Sequence, residues 1–134
     1  MRLVVDANVF VSGVFFRGPR YEILDAWRRR KVELVASPEI LDEYRHTGEQ
    51  LSREFGGVDL APWLRLLNAR AAVIEAPPLE HQVCSDPDDD KFLACALAGR
   101  VRLVTSGDKA LLRVSGYSGV IVMKPRSFVD RHLR

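Results

Sequence analysis

The sequence predicts an α/β fold: a single-domain three-layer sandwich whose mainly parallel sheet of about five strands is flanked by helices. Three observations carry that prediction. Five short runs rich in β-branched and aliphatic residues show almost no polar alternation, as in strands covered on both faces. Segments with apolar residues at helical spacing lie between them, and strands alternating with helices build parallel sheets. No repeat or linker divides the 134 residues, so one domain is expected over 1–134.

The elements follow in order. Strands are expected at "RLVV" (2–5), "VELVA" (32–36), "AAVIE" (71–75), "VRLVT" (101–105) and "GVIVM" (119–123). "PRYEILDAWRRR" aligns Ile23, Leu24 and Trp27 on one helical face. "SPEILDEYRHTGEQLSREF" opens with Ser37 as an N-cap and Pro38 at the first helical position. "LAPWLRLLNARA" follows, then the helix containing "KFLACALAG", closed by Gly99. A short "DKALLRV" helix precedes the last strand.

Composition excludes several classes. Apolar content of 47% and charged content of 28% suit a globular domain rather than a disordered one. No apolar run reaches the roughly 18 residues a membrane span requires. Asp6 interrupts the N-terminal stretch where a secretory signal would stay apolar, so a cytoplasmic chain is expected. Cys84 and Cys95 make neither a disulfide framework nor a C-x-x-C motif, and His81 with Cys84 is too few ligands for tetrahedral zinc. Net charge is +2, with arginine-rich clusters at "RRRK" (28–31) and in the C-terminal "KPRSFVDRHLR".

The acids are placed differently. Asp6 ends the first strand, and Asp108 follows the fourth in "LVTSGDKALL". "DPDDDKFLACALA" (86–98) sets four aspartates in five positions before an apolar helix. Glu43 lies on the helix after the second strand, with Glu39 one turn earlier. Each acid alone also suits a cap or a solvated face, where a carboxylate is worth roughly 0.3–1 kcal/mol against the helix dipole. Their conjunction says more. Open parallel sheets bind ligands outside the carboxyl ends of their strands, and carboxylates gathered there raise one another's pKa. A hard divalent cation, Mg2+ or Mn2+, removes that penalty through oxygen ligands.

"VVDANVFVSG" (4–13), "SPEILDEY" (37–44), "DPDDDKFLACALAG" and "RLVTSGDKALL" resemble, in this order, the four motifs of the PIN-domain family. The similarity spans nearly the whole chain. It is closest to the branch of toxin components of prokaryotic toxin–antitoxin systems, relatives of VapC-type ribonucleases. The resemblance implies a PIN-like fold and a Mg2+- or Mn2+-dependent endoribonuclease in which Asp6, Glu43 and Asp108 are catalytic metal-site acids. For the remaining acid, motif spacing favours Asp90 with Ser106 in the Ser/Thr position, and Asp89 is the alternative ligand. Asn8 and Ser106 become supporting polar groups, and Asp86 a cap. The resemblance also implies RNA as substrate, a cognate antitoxin as partner, and a homodimer or higher homo-oligomer. Arg17 and Arg20, in a loop after the first motif, and Lys109 beside Asp108 are candidate substrate-binding residues; phosphate contacts of this kind give affinity without sequence preference.

Two competing classes share parts of this pattern. A receiver-like phosphoacceptor domain also has strand-end acids and a lysine–proline after its last strand, here Lys124 and Pro125, but "AAVIEAPP" ends in Glu75 where a phosphoacceptor aspartate belongs. A non-catalytic PIN-like module binding RNA or protein would keep the fold without needing clustered carboxylates.

Overall fold

Leu3, Val4 and Val5 are wholly buried in β1 (Arg2–Val5), which forms the centre of the sheet in the computed structural model of residues 1–134. Around it lie β2 (Glu33–Ala36), β3 (Ala72–Val73), β4 (Leu103–Thr105) and β5 (Ile121–Met123). The order is β3-β2-β1-β4-β5, and every pairing is parallel. Five strands on the expected segments thus form a wholly parallel sheet. Seven helices flank it: α1 (Ala7–Phe15), α2 (Pro19–Arg28), α3 (Pro38–Glu54), α4 (Ala61–Arg70), α5 (Asp90–Ala98), α6 (Lys109–Arg113) and α7 (Pro125–Phe128). None is long and apolar enough to cross a membrane.

The strand order also settles the phosphoacceptor alternative. A receiver-like domain follows 2-1-3-4-5, whereas here the chain runs outward from β1 to β3 and returns to β4 on the other side of β1. The reversal therefore falls between β1 and β4, with Asp6 and Asp108 just beyond those two strands.

Helix α1 did not show in the pattern. Its "ANVFVSGVF" has no polar face and is rich in β-branched residues, which are weak helix formers. The Asp6 side chain nevertheless accepts from Val9 N at 2.8 Å, capping the first turn. Packing then decides: Phe10 stacks on Tyr44 at 4.5 Å and meets Trp27 edge-on at 6.2 Å. Gly13 lets α1 and α2 approach, since a Cβ there would sit 2.8 Å from the Arg20 carbonyl oxygen. Only two residues of the expected 71–75 strand pair regularly, and an unforeseen last helix begins at Pro125.

Tyr44 fixes the position of α3. Its buried hydroxyl donates to the Val5 carbonyl at the end of β1, and burial raises its pKa well above the ordinary phenol value, keeping it a donor. Glu43, the preceding residue, pairs with Lys91 of α5. Helix α5 lies against β1, β2 and β4, and contacts α3.

Candidate active site

The ends of β1 and β4 are locked together. Asp6 N donates to the Thr105 carbonyl at 3.1 Å, and Ser106 N donates to Met123 of β5. The buried Ser106 hydroxyl donates to Asp6 Oδ2 and accepts from Asp108 N at 2.9 Å. One serine thus joins the two strand-end acids. Asp108 also caps α6, accepting from Ala110 N at 3.0 Å.

Asp89 meets Asp108 from the start of α5. Burial first, and then Asp108, push its carboxyl up to about 8, while Asp108, taking the hydrogen bond Asp89 donates when protonated, is held below the usual carboxylate range. One proton shared by two facing carboxyls accounts for both directions. With both ionised, no proton remains to bridge them, and the buried Asp89 Oδ2 has no hydrogen-bond partner. Asp6 adds a third carboxyl. Its burial raises its pKa against the lowering effect of Ser106 and Val9, and Asp108 raises it further.

Asp90 is engaged elsewhere. Its two oxygens accept from Val83 N at 3.0 Å and Cys84 N at 2.7 Å. Burial pushes this carboxyl up, but the hydrogen bonds from Cys84 and Val83 outweigh it and hold it below the ordinary value. Of the two neighbouring candidates, Asp89 is therefore the one that faces the other acids. Motif spacing favours Asp90 because spacing cannot see which of two adjacent carboxylates serves the backbone. Asp86 has the capping place expected of it, accepting from Asp88 N at 3.0 Å.

Glu43 is half-buried and paired with Lys91 of α5. Lys91 carries no motif signal in the sequence, although "DDDK" sets a lone base beside the acids. Asn8 lies exposed on the first turn of α1, with no hydrogen bond to any acid. Arg17 lies over the Tyr21 ring at 4.1 Å. Arg20 belongs to the first turn of α2 rather than to the preceding loop, and its charge acts on Asp6. Lys109 is the exposed first residue of α6. Cys84 and Cys95 are both buried free thiols.

No three acid, histidine or cysteine side chains stand in closed metal-holding geometry; Glu43 is paired with Lys91, and Asp6 accepts from Ser106. The donor set nevertheless suits a hard divalent cation. Asp6, Asp89 and Asp108 offer oxygens alone, one of them buried and unpartnered, and a positive charge would replace the proton that Asp89 and Asp108 now share.

MJ1680, an uncharacterized protein of Methanocaldococcus jannaschii, is 32% identical over 117 residues, covering 84% of this chain and 74% of that protein. A family model described as PIN domain matches residues 2–110, from the first residue of β1 into α6, and so takes in every acid named above. On that match, and with a parallel sheet whose reversal point gathers the acids, the chain belongs to the PIN domain family, whose fold is of nuclease type.

Proposed function

We propose that this chain is a Mg2+- or Mn2+-dependent endoribonuclease that hydrolyses RNA phosphodiesters in the cytoplasm, as the toxin of a toxin–antitoxin pair. The observation that carries the catalytic reading is the contact between Asp89 and Asp108 beside the buried Asp6. Three carboxyls gathered at one strand edge, each shifting another's pKa, serve no folding purpose that a single cap would not.

Asp6, Asp89 and Asp108 would hold the ion, and Glu43 would join them when Lys91 releases it. When bound, a divalent ion makes water more acidic and neutralises charge on the phosphodiester. Ser106 keeps Asp6 Oδ2 and the Asp108 backbone in register, so these two acids are already held beside one another. Asp89, whose carboxyl is raised to about 8, would have to be ionised to hold the ion. Asp90 holds the segment before α5 through Val83 N and Cys84 N and takes no part in binding the ion.

The toxin role, a cognate antitoxin and a homodimer or larger assembly rest on the motif resemblance to VapC-type ribonucleases. The Glu43–Lys91 ion pair favours a second reading, a PIN-like module that binds RNA or protein without cleaving it, because one acid is already neutralised within the chain.

Cleavage of a mixed RNA pool by wild type and Asp6→Asn, with Mn2+ and with chelator, separates the two. Cleavage by wild type with metal alone supports the nuclease. Equal cleavage by Asp6→Asn, or in chelator, removes the carboxylate–metal reading, and binding without cleavage in any lane favours the module.

A further inference from the structure

Arg20, Lys124 and Arg126 line an open cavity of about 320 Å³ with Pro19, Gly107 and Pro125. No carboxylate lines it. The ion pairs of the molecule engage Arg2, Arg28, Arg29, Arg45, Lys91 and Arg134, so none of the three cavity cations is in an ion pair. Three like charges around one hollow repel one another unless an anion sits between them. The guanidinium forks of Arg20 and Arg126 match phosphate oxygens, and Lys124 adds a compact charge.

Two features tie the cavity to the acids. Gly107, between Ser106 and Asp108, forms part of its wall, and a Cβ there would lie 3.1 Å from Arg20 Nη2. The Arg20 guanidinium thus rests on the loop that carries the site. Moreover, α2 opens at Gly18 with no side-chain cap, one residue before Pro19 of the cavity wall.

We propose that this cavity is a phosphate subsite that grips a backbone phosphate of single-stranded RNA adjacent to the phosphodiester held at Asp6, Asp89 and Asp108. It rests on the nuclease reading for the identity of the strand. The acids repel the RNA backbone when no ion is bound, and a basic hollow sharing the Gly107 wall supplies the opposing attraction and sets where the strand lies.

The test is the affinity of the full chain for a fluorescent single-stranded RNA oligonucleotide across a salt series, in chelator. Wild type is compared with Arg20→Gln, with Lys124→Gln/Arg126→Gln, and with Arg65→Gln/Arg102→Gln. The last pair removes two charges from exposed positions outside the cavity, on α4 and at the N-terminal end of β4. The cavity double variant is expected to bind about tenfold more weakly, and its plot of log affinity against log salt to flatten by roughly 0.7 for each phosphate that is no longer neutralised. Arg20→Gln should move both quantities the same way, and the control pair should stay within about twofold of wild type in affinity. Cavity variants matching the control pair in affinity and slope would overturn the subsite, as would a wild type that binds no RNA. Because chelator removes cleavage from the measurement, a wild type that binds as expected yet never cleaves with Mn2+ would count against the nuclease reading while leaving the subsite standing.

Discussion

Lys91, the second residue of α5, is paired with Glu43 of α3 and so ties the two helices together by charge. The pair is neither fully exposed nor fully buried, with side chains 24% and 29% accessible. In the proposed nuclease it would act as an internal counter-charge for an entering cation to displace. Four consequences of this site can be measured.

Lys91→Met should loosen the metal-free protein and tighten its grip on metal. Losing the pair leaves Glu43 half-buried without a counter-charge, at a cost of about 1 kcal/mol, between the exposed and buried limits for ion pairs. The freed carboxylate then favours a cation, so Mn2+ affinity by calorimetry should rise several-fold. Unchanged affinity would mean that Glu43 is not a ligand.

Asp89 should make metal-free stability fall as pH rises. Its folded pKa, about 8, lies above the ordinary carboxylate value, because of burial and then Asp108. The folded state holds this proton more tightly, so the stability it contributes is full below about pH 4 and is lost as pH passes through about 8. Asp6, raised by burial, has the same sign, while Asp108, lowered by Asp89, acts in the opposite sense only at the acid end. The metal-free Tm should therefore drop between about pH 5 and about pH 8.5, and Asp89→Asn should flatten that slope. Saturating Mn2+ should raise Tm most at the alkaline end, where the ion replaces the lost proton. A Tm that climbs across this window without metal would contradict the assignment.

Asp90→Asn should separate folding from chemistry. The wild-type carboxylate accepts two backbone N–H groups, and an amide can accept only one of them without turning a donor toward a donor. The expected cost is about 1–3 kcal/mol in a urea melt, with metal-dependent RNA cleavage retained. Asp89→Asn should do the reverse, keeping the fold and losing cleavage. Equal loss of cleavage in the two variants at full folding would return Asp90 to the metal site.

Strand positions were legible because β1, β2, β4 and β5 are buried segments whose apolar runs have one physical explanation. Asp6 and Asp108 were legible for a related reason: a strand end in a parallel sheet has few places to go. Helix α1 was not, because the cap from Asp6 and the stacking of Phe10 on Tyr44 override weak local propensity. The choice between Asp89 and Asp90 depends on about a quarter-turn of helix and on two N–H groups seven and six residues upstream. Lys91 was visible as a residue, but its partner lies 48 positions away. The grouping of Arg20 with Lys124 and Arg126 likewise depends on α7, which no periodicity announced.

Ser106 is the most economical test of preorganisation. Its hydroxyl serves Asp6 Oδ2 as donor and Asp108 N as acceptor, with no exposed surface of its own. Ser106→Ala leaves a buried carboxylate oxygen and an amide N–H without these partners, so a loss of about 1–3 kcal/mol is expected in denaturant melts. If the hydroxyl also orients the acids, cleavage should fall beyond what the unfolded fraction explains, and the Mn2+ concentration giving half-maximal rate should rise. Ser106→Thr keeps the hydroxyl and should recover both metal response and rate. A purely structural serine predicts otherwise: with Ser106→Ala assayed well below its melting temperature, the metal dependence would match wild type and only stability would change.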